Sequence, residues 1–146
     1  MRKLAMVGAA LGLTWHAAAT ALMGMEETGT LSLWPGIVAG VLTGLAATWH
    51  TVWTIRRNDG KERFWHGVAN FLLAIAVYGF LLFWLSGGWV GPERSLPFFH
   101  RLIGSASFAF YLLAYGVLFY GIFLLPLCFA SRTLVWSVAN PSEEAD

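Results

Sequence analysis

Apolar residues fall along the chain in four long runs, each bounded by charged or turn-forming residues, at about residues 4–25, 33–55, 64–85 and 96–126. A helix of roughly 20 predominantly apolar residues is long enough to cross a bilayer, and every run meets that length. The pattern predicts an all-α protein: a four-helix transmembrane bundle that makes residues 1–146 a single integral membrane domain. Small and polar residues recur at helical spacing within the runs, as Gly8, Gly12, His16 and Thr20 in the first and Gly40, Thr43, Gly44, Ala46, Ala47 and His50 in the second. Stripes of this kind let two helix backbones approach closely. Pro35 falls in the first turn of the second helix, where its missing N–H costs nothing. The fourth run is longer than a straight crossing needs, which predicts tilt or a bend near Pro126.

Composition sharpens the membrane reading. The chain is 58% hydrophobic and 12% charged, against roughly 25% charged for a soluble domain. Arg2 and Lys3, the cluster Arg56, Arg57, Lys61 and Arg63, and Arg132 fall on one side of the predicted bundle, while Glu26, Glu27 and Glu93 fall on the other, with Arg94 the exception. Basic residues concentrate in cytoplasmic loops, so N and C termini and the central hairpin are expected to be cytoplasmic. The expected surroundings are membrane lipid, in a bacterial inner membrane. A net charge of +1 without a dense basic face gives no reason to expect a nucleic-acid partner. Cys128 is the single cysteine, which rules out an intrachain disulfide and a Cys-x-x-Cys-His haem attachment.

The candidate chemistry is histidine chemistry. Each predicted helix carries one: His16, His50, His66 and His100. Ionisable residues inside a bilayer are costly, usually face the bundle interior and mark function. At 1.5 Å per residue His16 lies roughly 19 Å above the cytoplasmic edge and His100 roughly 21 Å, while His50 and His66 lie roughly 9 and 4 Å up. The counts define an outer and an inner pair, and two imidazoles at one depth can supply both axial ligands of a haem iron. A small or short residue stands one turn from each histidine, namely Gly12, Ala46, Asn70 and Gly104, leaving room for a flat ring. Arg101 with Arg94 would serve the propionates of an outer haem, and the hairpin cations those of an inner one.

These features predict a small b-type membrane cytochrome with one or two haem b groups, di-haem in its full form, moving electrons across the membrane or between quinone and a partner subunit. In helix number and histidine placement the chain resembles the cytochrome b561 class, without a shared motif. An Ala one turn before a histidine, as Ala46 before His50, also suits the magnesium of a bacteriochlorophyll, so a pigment-binding subunit is a second expectation. A third is a cofactor-free accessory subunit that assembles with other membrane subunits through its aromatic and small-residue faces. No Asp or Glu falls within the predicted spans, which disfavours proton-coupled or cation transport.

Overall fold

The structure is a computed structural model that describes residues 2–23, 33–57, 64–86 and 96–139. Those residues are helical almost throughout: α1 (Arg2–Met23), α2 (Leu33–Arg57), α3 (Phe64–Leu85), α4 (Phe98–Tyr115), a π-helical turn (Gly116–Tyr120) and α5 (Gly121–Ala139). Three stretches are long and apolar enough to cross a membrane, Trp34–Arg57, Phe64–Leu85 and Phe98–Leu118, consistent with an integral membrane protein. α1 has 22 residues but is not among them. By composition it is as apolar as α2. The basic cluster Lys61 and Arg63, and the acidic Glu26, Glu27 and Glu93 with Arg94, lie outside the described residues.

α1 and α2 pack through their glycines. A side chain at Gly12 would run into the Gly40 carbonyl, and one at Gly44 into the Gly8 carbonyl. In an apolar solvent, helix association depends on close van der Waals contact, which bare backbone on both sides maximises. α3 meets α4 by a different fit. The Phe83 ring fills the space over Gly104 and stacks toward Phe108 at 5.7 Å between centroids, while Gly79 lies against the Ala109 backbone.

The largest departure from the sequence pattern is in the last helix. The pattern ends the fourth helix at about residue 126, but helix continues through Pro126 to Ala139. Proline keeps a helical φ and removes one hydrogen bond, a loss that neighbouring backbone adjustments absorb in membrane helices. The irregularity sits about two to three turns earlier, at Gly116–Tyr120. One extra residue per turn rotates everything beyond it by about 100°. The turn is also where the helix changes partners: α4 packs on α3, whereas α5 packs on α1, α2 and α3 together.

The fold therefore buries a polar stripe. Thr43, Thr48, Thr51, Thr54, Asn70, Ser105 and Arg132 are all buried. Arg132 reads from the sequence as a charge flanking a membrane span, yet it is 2% exposed and donates to the Thr54 hydroxyl at 3.4 Å. It is inside because α5 extends along α2, bringing a residue beyond the predicted end of the span into the bundle.

Candidate functional site

The structure ties His50 and Asn70 together. Both come from antiparallel neighbours, α2 and α3, and the His50 Nδ1 donates to the Asn70 Oδ1 at 3.1 Å. An amide oxygen can only accept, so this bond puts the imidazole proton on Nδ1 and the lone pair on Nε2. Asn70 is buried, so its own position is set by packing. A histidine anchored through one ring nitrogen with the other unprotonated is the state a metal-binding imidazole requires.

His50 also lines a surface groove of about 350 Å³ with Ala46, Trp49, Trp53 and Leu73. The short Ala46 side chain opens the groove one turn from the imidazole. Trp49 is 71% exposed and Trp53 48%, so aromatic walls stand on the surface beside it. The Trp53 ring lies 6.2 Å from His50 between centroids, and the Arg57 guanidinium stands over that indole at 5.1 Å. The groove thus combines one imidazole, two indoles and a cation at its basic end. Among the described residues no three His, Cys, Asp or Glu side chains converge on a point. The groove offers a metal one protein ligand, which suits a metal whose other ligands come from its own macrocycle.

The remaining predicted residues are placed differently. His16 and Tyr78 share a hydrogen bond of 2.6 Å between Nδ1 and the phenolic oxygen. The His16 ring stands against Gly36, with Nε2 2.8 Å from where a Gly36 side chain would begin, so the α2 backbone occupies the space a porphyrin would need. Gly12 is likewise filled, by Gly40 and Gly44. His100 is exposed in the first turn of α4, a helix packed on α3, while His16 is on α1, packed on α2 and α5. The structure does not bring these two together. Gly104 receives the Phe83 ring, and Arg101 stacks over Trp84 at 5.6 Å. His66 is half-buried on α3, one turn before Asn70.

Sequence reasoning overlooked Tyr78 and the bond from the Trp15 indole to the Ser131 hydroxyl at 3.3 Å, and it read Thr43 only as part of a packing face. Tyr78 carried a usable signal: a phenol in the middle of the most apolar run needs a polar partner. Trp15 and Ser131 carried none, because they meet only through the unexpected extension of α5.

The chain matches no protein-family model, and no curated protein or solved structure is similar to it.

Proposed function

We propose that the protein is a membrane electron-transfer subunit that holds one b-type haem through a single axial histidine, His50, in the groove between Trp49 and Trp53. The observation that carries this reading is the His50 to Asn70 bond, which prepares one imidazole nitrogen for a metal beside an open, aromatic-walled groove. Asn70 orients the ring. The indoles give the macrocycle apolar walls, and Arg57 supplies the cation that a propionate requires. When bound, the haem supplies one-electron oxidation and reduction. The groove opens on the surface, so the far side of the ring is covered by lipid or by another membrane subunit.

This reading replaces two bis-histidine haems by one haem with one ligand from this chain. It keeps the four-helix transmembrane bundle in a bacterial inner membrane, with both termini and the His50 end cytoplasmic. A single haem near that edge passes electrons to a neighbour in the membrane rather than across the whole bilayer. A bacteriochlorophyll at His50 is the second reading, favoured by Ala46 opening the groove one turn from the ligand. Arg57 tips the balance to haem, whose free propionates exploit a cation.

The deciding measurement is the absorption spectrum of the purified protein, oxidised and reduced. A haem Soret band that His50→Ala abolishes, and that His16→Phe and His100→Ala leave in place, is the expected result. A far-red chlorin band supports the second reading. Full haem retention in His50→Ala, or a wild-type protein that neither contains nor takes up a tetrapyrrole, overturns both.

A further inference from the structure

A second site lies inside the bundle, on the other side of Asn70 from the groove. There α1, α2, α3 and α5, with the π-helical turn, enclose a cavity of about 100 Å³. That is about two-thirds of the roughly 150 Å³ cavity known to accept a benzene ring, so a substituted ring enters only as lining side chains move aside. Trp15, Phe71 and Tyr78 supply aromatic walls, and Gly116, the first residue of the π turn, lines the cavity too. Such turns occur frequently at functional sites.

One polar group in the lining is unsatisfied. Thr14, Thr20, Thr51 and Thr133 each bond back to the carbonyl four residues earlier, as threonines in helices commonly do. Thr43 does not: its hydroxyl is buried, only 7% of the residue is exposed, and the oxygen has no hydrogen-bond partner. The Asn70 amide also borders the cavity, with its oxygen accepting from His50 and its N–H groups remaining as donors. Thr48, Thr51, Ser131 and the buried Arg132 line the cavity as well, so a mostly apolar chamber carries several hydrogen-bond donors, which suits a flat ring bearing carbonyl acceptors.

We propose that this cavity binds the headgroup of a quinone, with Thr43 and Asn70 donating to its carbonyl oxygens. The proposal does not depend on haem at His50, although Asn70 lines the cavity and bonds to His50.

The test uses the full chain in lipid nanodiscs, titrated with a short-tailed ubiquinone and followed by quenching of tryptophan fluorescence. Saturable quenching is expected. Thr43→Val should weaken it about fivefold, the usual scale for one lost hydrogen bond, with Thr43→Ser restoring it. Ala74→Phe, which fills the cavity, should remove the saturable component; if that variant does not fold, the Val and Ser pair at Thr43 decides. Thr43→Val should leave the haem Soret band intact, so loss of haem and loss of quinone are read separately. Quenching that rises linearly, as simple partitioning into lipid would give, or saturable quenching indifferent to Thr43→Val, overturns the proposal.

Discussion

His50 and Asn70 show why a polar pair inside an apolar bundle carries more information than either residue alone. An isolated histidine in a span has two tautomers and many rotamers, whereas a 3.1 Å bond to a buried amide leaves one of each. Groups that orient a metal-binding histidine typically contribute 10–100-fold to affinity, so Asn70→Leu is expected to weaken haem binding by about that factor while leaving His50 in place. Haem titration at the Soret band reads this directly. Equal affinity in the variant would mean that the amide serves packing alone. Counting residues from the charged ends placed His16 and His100 at one depth, but depth says nothing about azimuth. His16 turns to Gly36 and Tyr78, and His100 to the surface.

The helices hold together by two kinds of contact, and the two respond differently to mutation. Between α1 and α2 backbone meets backbone at Gly8, Gly12, Gly40 and Gly44, and neither side can yield. Gly44→Leu is expected to cost at least the roughly 1–3 kcal/mol of ordinary overpacking and to lower the melting temperature clearly. Gly104→Ala meets only the edge of the Phe83 ring, which can turn aside, so its effect should be the smaller. The reverse order would show that α1 is loosely attached. The π-helical turn gives a sharper test. Deleting Val117 converts the turn to ordinary helix and rotates α5 by about 100° relative to α4. That rotation withdraws Arg132 from Thr54 and Ser131 from Trp15, so the deletion should destabilise the protein strongly while Val117→Ala is tolerated. A deletion as stable as the parent would show that α5 docks without a fixed register.

For the molecule as a whole, the distribution of basic residues predicts that both termini and the hairpin after α2 are cytoplasmic. In a variant lacking Cys128, single cysteines introduced by Asn58→Cys and Gly91→Cys test this. An impermeant thiol reagent applied from outside should label position 91 and not 58. The opposite pattern would invert the protein and move the His50 groove to the outer leaflet. Glycine contacts along its length hold α1 against α2.

The amino-acid sequence determined the all-helical class, because apolar runs of this length have one stable backbone solution in a bilayer. It also singled out His50, Ala46 and Asn70, since intramembrane polar residues are too costly to be incidental. Tertiary structure alone decided which of them meet. Helical spacing tells which residues share a face of one helix, but which face turns to which neighbour follows from the fit of all the surfaces at once. The passage of helix through Pro126, the burial of Arg132 against Thr54 and the pairing of His16 with Tyr78 depend on contacts between residues 62 to 116 positions apart, or on their consequences for the path of α5. No local pattern encodes such contacts. They are chosen because together they satisfy buried polar groups that each helix alone would leave exposed to lipid.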